Sequence, residues 1–305
     1  MHNLKTCFCG ITFPTPLILA SGIVHTPAAF MALASQKGVG GITWKSISLK
    51  PRAGHPLPVV TPYSAGFINS VGLKNPGVKQ AVKEIREVKK HIKIPLLASI
   101  VAFQMSEFPQ LATEIAKAAP DLIELNLSCP NVDDEIGRPF STDPLLSALA
   151  VQEVKRVVKH IPVIAKLTPN VVDIKEIAKA VENAGADAIS AINTVGPGLL
   201  IDAKTRKAKL GNKIGGISGP SIKPLALRCV WDIAKTVKIP ILGMGGVNNG
   251  EDALEMMMAG ATLVGIGSAV FGKGFGIFDQ INQQMLDLMK IYEIASFASI
   301  KLSIK

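Results

Sequence analysis

Eight times along the chain, a short apolar run gives way to a loop and then to a segment with helical periodicity. The apolar runs occupy residues 17–20, 42–46, 96–100, 122–126, 163–167, 188–192, 241–243 and 263–266. Apolar residues recurring at helical spacing follow over 28–36, 78–91, 108–118, 144–160, 174–184, 223–237, 251–259 and 278–291. In ENAGAD and MMAGAT, Gly185 and Gly260 stand where a left-handed residue reverses the chain after a helix. Strands that alternate with helices build a parallel sheet covered by those helices. Eight such units predict an α/β fold of the closed (β/α)8 TIM-barrel type, with residues 1–305 as one domain. A doubly wound open sheet is the competing architecture, but no GxGxxG follows the first strand. Two Pro- and Gly-rich stretches, 50–62 and 196–220, follow the second and sixth strands and read as elaborated βα loops, not linkers.

Hydrophobic residues make up 48% of the chain and charged residues 18%, enough for a large core. No apolar run approaches the ~20 residues that cross a bilayer. The N-terminal MHNLKTCFCGITFPTPLILASG has no basic flank leading into an apolar stretch and cleavage site, so a cytoplasmic protein is expected. Lys and Arg number 33 against 23 Asp and Glu, a formal charge of +10. The basic residues are spread over amphipathic segments such as VKEIREVKKHIK and aromatics are sparse. Solvated helix faces are therefore expected, not a nucleic-acid footprint. Cys7 and Cys9 read as apolar positions of an N-terminal strand or hairpin, and no Cys or His spacing completes a metal site.

Barrel chemistry sits at the C-terminal ends of the strands. Reading only those ends collects Ala20, Ser21, Lys45, Ser46, Ser99, Asn126, Lys166, Asn193, Thr194 and the glycine loops GMGG (243–246) and GIGS (265–268). Glycines let backbone N–H groups approach a phosphate, and barrels often bind phosphate after strands seven and eight. Tight turns alone would also require glycine. Lys45 and Lys166 end apolar strands, where a cation needs an anion or an electron-rich ring; a flavin, which gains negative charge near N1 and O2 on reduction, fits. Asn69, Asn126, Asn131 and Asn193 each offer a donor and an acceptor, as a cyclic imide such as a pyrimidine demands, although each alone could close an Asx-turn. Cys129, in NLSCPN, admits three readings: a buried small hydrophobe, a nucleophile, or a general acid–base group. Spacing does not decide among them.

PLILASG, ITWKSISLKPRAGHPLP, INSVGLKNPG, ELNLSCPN, VIAKLTPN, INTVGPG, GGISGPSIKP, GMGGVNN and GIGSAVF, in this order over the whole chain, resemble the class 1 dihydroorotate dehydrogenases, FMN enzymes of pyrimidine biosynthesis. The resemblance implies FMN at the strand ends and oxidation of (S)-dihydroorotate to orotate. It makes Cys129 the base that removes the C5 proton while a hydride leaves C6, with Lys45 between substrate and flavin. Asn69, Ser70, Val71, Gly72, Leu73, Asn126, Asn131, Asn193 and Thr194 would hold the substrate. Ala20, Ser21, Lys45, Ser46, Asn126, Lys166, Ile192, Gly219, Gly245, Gly246, Gly267 and Ser268 would line FMN, and residues 132–143 would form a flap. Ser99 stands where many relatives carry an asparagine near the flavin and is retained as a flavin contact.

GLKNPG and PRAGHPLP look like class 1B, which passes electrons to NAD+ through a partner subunit carrying FAD and a 2Fe–2S cluster; NTVGPGLLID looks closer to the fumarate-using, homodimeric class 1A. The resemblance favours 1B, as a homodimer or a heterotetramer with that subunit. A dihydropyrimidine dehydrogenase-type FMN subunit is the rival enzyme, and a non-catalytic phosphate-binding barrel is the rival of another class.

Overall fold

A computed structural model describes residues 3–23, 28–127 and 139–304. The apolar runs form β1 (Leu17–Leu19), β2 (Gly41–Ile47), β3 (Leu96–Ile100), β4 (Leu122–Asn126), β5 (Val163–Leu167), β6 (Ala188–Ala191), β7 (Ile241–Met244) and β8 (Leu263–Ile266). They pair in parallel in chain order, and β8 closes on β1, with Val264 opposite Leu17 and Ile266 opposite Leu19. The (β/α)8 barrel expected from the repeat is thus the observed architecture.

The outer layer is α1 (Ala28–Ser35), α2 (Val78–His91), α3 (Glu107–Ala116), α4 (Pro144–Val157), α5 (Ile174–Asn183), α6 (Lys223–Thr236), α7 (Gly250–Met258), a short α8 (Ala269–Lys273) and α9 (Gly276–Ile291). On α2, Val78, Ala81, Val82, Ile85 and Val88 form the buried stripe, while the charged residues take the other face. Side-chain caps set several starts. Asp143 Oδ1 accepts from Leu145 N at 2.8 Å and Leu146 N at 3.1 Å, with Pro144 as the first helical residue. Helix α4 stops at Val157, short of the expected residue 160, because the chain is already extended at Val158 (φ −111°, ψ 110°) on its way to Pro162 and β5.

One end of the barrel is sealed by hydrocarbon. An antiparallel hairpin, Thr6–Phe8 with Ile11–Phe13, inserts Phe8 and Phe13, whose rings meet edge-on at 6.3 Å. They pack with Ile18, Leu97, Leu122, Ile164, Ala188, Leu242 and Leu263 inside the barrel. Each large apolar side chain so buried contributes roughly 1.5–3 kcal/mol. Polar groups are therefore displaced toward the opposite, C-terminal end of the strands.

At that end the loops after β2 and β6 meet. Val60–Tyr63 and Gly66–Asn69 come from the first, Val195–Leu199 and Ile214–Ser218 from the second. Together they form a four-stranded antiparallel sheet in which Gly216 faces Asn69 and Ser218 faces Phe67. No helix among the described residues is long and apolar enough to cross a membrane.

Candidate active site

A cavity of about 360 Å³ opens at the C-terminal ends of the strands, within the ~300–1,000 Å³ typical of small-molecule sites. Ala20 and Ser21 after β1, Lys45 and Ser46 on β2, Asn126 on β4, Lys166 on β5, and Ile192, Asn193 and Thr194 after β6 line it. The antiparallel sheet and its flanks add Asn69, Val71, Gly72, Leu73 and Gly219, and the last two barrel strands add Gly245, Gly246, Gly267 and Ser268. These predicted residues come from distant parts of the chain and share one cavity.

Lys45 and Ser46 are neighbours in sequence, yet both face this space. A regular strand would send them to opposite sides. The pairing of β2 with β3 shifts register between Trp44 and Ile47, and that irregularity aims both inward. Ser46 Oγ then becomes a node: it lies 2.9 Å from Ser99 Oγ and accepts from Asn126 Nδ2 at 3.1 Å. Asn126 Oδ1 accepts from Asn193 Nδ2 at 3.4 Å, and Asn193 Oδ1 accepts from Thr194 N at 2.8 Å. Four strand ends are thereby tied by side-chain hydrogen bonds.

The far wall is built on close backbone approach. A Cβ at Gly216 would lie 2.0 Å from Thr194 Oγ1, so only glycine lets Thr194 rest on the sheet. Asn69 donates to Gly216 O at 3.3 Å. Asn75, which sequence reading passed over, braces Val71, Gly72 and Leu73 from behind. Its Nδ2 donates to Leu73 O and to Ser48 Oγ, both at 2.8 Å, and its Oδ1 accepts from Gly77 N at 2.9 Å.

Two predicted residues lie outside the lining. Ser99 is 0% exposed and sits behind Ser46. Ser70 is buried, and its hydroxyl meets His55 Nδ1 at 2.9 Å and accepts from Asn212 Nδ2 at 3.0 Å. Cys129 and Asn131 lie outside the described residues, as do residues 132–138 of the expected flap. The rest of that flap forms a 3-10 turn, Phe140–Thr142, pinned by Ser141 N to Leu127 O at 2.8 Å. Of the other thiols, Cys9 is pushed up to about 12 by burial, helped by Asp187 and Cys7, and Cys229 to about 11 by burial and Asp232. Neither borders the cavity.

Several lining residues escaped sequence reading, among them Phe67, Glu124 and Phe271. Glu124 had a signal, an acid in the middle of the apolar strand LIELN. It is 1% exposed, and neither carboxyl oxygen has a hydrogen-bond partner among the described residues. Lys166, 6% exposed, donates to Met244 Sδ at 3.0 Å, a weak acceptor. A buried carboxyl without a partner is costly, so this floor is suited to a polar ring whose edge supplies hydrogen bonds. Such a ring, together with a phosphate against the glycine loops, fits the residues present.

Residues 3–289 match the family model described as dihydroorotate dehydrogenase. Three relatives share the name dihydroorotate dehydrogenase B (NAD(+)), catalytic subunit. The one from Methanocaldococcus jannaschii is 42% identical over 290 residues, covering 94% of each chain. That from Pyrococcus furiosus is 42% identical over 299 residues, covering 98% of this chain and 97% of its own. That from Bacillus pumilus is 40% identical over 288 residues, covering 94% and 92%.

Proposed function

The chain belongs to the dihydroorotate dehydrogenase family, and from that membership we propose how its cavity works. It is an oxidoreductase that converts dihydroorotate to orotate in pyrimidine biosynthesis, with NAD+ as the final acceptor. The single observation that carries the site assignment is the meeting of Lys45, Asn69, Asn126, Asn193 and Thr194 with three glycine-bearing loops in one cavity.

FMN is the cofactor we assign. Gly219, Gly245, Gly246, Gly267 and Ser268 would offer backbone N–H groups to its phosphate, and Lys166 would be a cation to stabilise the charge its ring gains on reduction. When bound, FMN supplies the two-electron acceptor for the hydride leaving C6. Cys129 takes the C5 proton as general base; a thiol needs only a modest downward shift to do so near neutrality. Lys45 and the asparagines hold the substrate's carboxylate and ring, matching donors to C=O and acceptors to N–H. The Ser46–Asn126–Asn193 chain fixes those amides before the substrate arrives, so less ordering remains to be done on binding.

Electrons then pass to a partner subunit carrying FAD and a 2Fe–2S cluster. The relatives' designation as catalytic subunits supports a partner. So does the cysteine count: a cluster takes four thiolates, this chain has four cysteines, and Cys129 is assigned to catalysis. We infer a cytoplasmic homodimer that joins this subunit as a heterotetramer. The test is anaerobic mixing of the purified yellow protein with dihydroorotate. Rapid bleaching of the flavin, and none with dihydrouracil, is expected; a colourless protein, or bleaching by dihydrouracil alone, would overturn the reading.

A further inference from the structure

The first residue of α6, Lys223, touches the glycine loop that follows β7. A Cβ at Gly246 would lie 2.8 Å from both Lys223 Cα and Lys223 N, so the two backbones are in contact. A lysine beside a phosphate loop would ordinarily serve as the phosphate's counter-ion. Here the ammonium is already engaged. Lys223 Nζ donates to Asp252 Oδ1 and to Glu255 Oε2, each at 2.7 Å. Burial works against its charge, but the two carboxylates outweigh burial and raise its pKa. Lys223 does not border the cavity, and the lysines that do, Lys45 and Lys166, sit on β2 and β5 and not on the phosphate loops.

Asp252 is almost wholly buried, 7% exposed, and both its oxygens are used. Oδ1 holds Lys223, and Oδ2 accepts from Asn248 N at 2.8 Å. Asn248 Nδ2 donates to Gly246 O at 2.8 Å, while Asn249 Oδ1 caps α7 by accepting from Asp252 N at 2.9 Å. One carboxylate thus fastens the whole turn between β7 and α7 to the start of α6. The turn needs fastening because Gly245 (φ 134°) and Gly246 (φ 77°) have little conformational preference of their own. Backbone N–H groups have no rotamers and point only where φ and ψ send them.

We propose that Asp252 is a positioning residue for the phosphate end of the cavity. Through Lys223 and Asn248 it holds the Gly245–Gly246 amides so that they bind a phosphate monoester without a lysine from these loops. This rests on the FMN reading above and deepens it.

The experiment compares FMN with riboflavin, which lacks the phosphate. Flavin-free protein is titrated with each, following quenching of flavin fluorescence. For Asp252→Asn, FMN affinity falls about tenfold, the scale of one lost charge-assisted hydrogen bond. Riboflavin affinity stays within about twofold, because its ring contacts lie elsewhere. The sign is diagnostic: deleting a negative charge near a phosphate would by Coulomb's law tighten FMN, whereas loss of positioning weakens it. Lys223→Gln breaks the same clamp from the α6 side and reproduces the FMN-selective loss, which keeps the test open if Asp252→Asn fails to fold. Equal losses for both flavins, or unchanged affinities in the folded variants, overturn the proposal. A parent protein that binds neither flavin overturns the FMN assignment itself.

Discussion

Ser46→Ala removes the node of the side-chain chain that ties the strand ends. Two hydrogen bonds disappear, to Ser99 and to Asn126, worth about 0.5–1.5 kcal/mol each. Ser99 is 0% exposed, and its hydroxyl then lacks a side-chain partner at a cost of about 1–3 kcal/mol. The expected loss is therefore about 2–6 kcal/mol. Ser99→Ala breaks one bond and leaves Ser46 bonded to Asn126, so it costs about 0.5–1.5 kcal/mol. The double variant loses the shared bond once and has no stranded hydroxyl, so it should be more stable than the sum of the singles predicts, by about 1.5–4.5 kcal/mol. Urea unfolding of the flavin-free protein, followed by tryptophan fluorescence, measures all four corners; Trp44, 2% exposed on the same strand as Ser46, reports on this layer. If the two changes add to within about 0.3 kcal/mol, the hydrogen-bonded node is wrong. Ser46→Ala should also weaken orotate binding more than FMN binding, because Asn126 loses its anchor.

Cys129→Ala should keep its yellow colour but reduce its flavin with dihydroorotate about 10²–10⁴-fold more slowly in stopped flow, and Cys129→Ser should recover part of the rate at high pH. Lys45→Ala should both weaken substrate binding and slow flavin reduction; unchanged kinetics would remove it from the site. Gly216→Ala, forced against Thr194, should lose about 1–3 kcal/mol and substrate affinity together. Gly185→Ala has open space but a φ of 94°, and should lose stability alone, by about 1 kcal/mol. The raised pKa of Lys223 means that its ion pairs stabilise the fold fully below the unfolded lysine value of about 10.4 and lose that contribution as pH rises through the folded value. The gap in melting temperature between parent and Lys223→Met should hold from neutral pH to about pH 9 and close in the alkaline range above pH 10.4.

The barrel was legible because local signals and global topology agree: each buried parallel strand is a continuous apolar run, and each helix shows a one-sided stripe. All eight barrel strands begin and end within one residue of expectation. The glycine loops and Lys45, Asn126, Lys166, Asn193 and Thr194 were legible because strand ends are the one place where a barrel needs polar residues for chemistry. What escaped depends on contacts between distant segments. The antiparallel sheet joins residues near 66 to residues near 216, and neither half carries a pattern that names its partner. Asp252 reads in sequence as an ordinary acid in a helix's first turn; its two bonds are visible only when α6 and the β7–α7 turn lie side by side. Ser99 looked like a cavity residue because it ends a strand, but on β3 the side chain meets Ser46 first.

The end of β2 shows how the fold brings two chemically different groups to one face. Trp44, 2% exposed, and Ile47, 0% exposed, belong to the apolar layer between barrel and helices. With both flanks held there, a regular strand would turn one of Lys45 and Ser46 into the same layer. Lysine in that layer would lose its hydration without gaining an anion, and serine would lose its bonds to Ser99 and Asn126. The register shift between Trp44 and Ile47 resolves the conflict: the apolar anchors keep their places and both polar side chains reach the cavity. Bulges disrupt a ladder locally, and they recur beside active sites because they re-aim side chains. In β2 the irregularity delivers a cation to the cavity and, one residue on, the hydroxyl that accepts from Asn126. The arrangement of the cavity wall therefore depends on where hydrocarbon pins the strand as much as on the polar residues themselves.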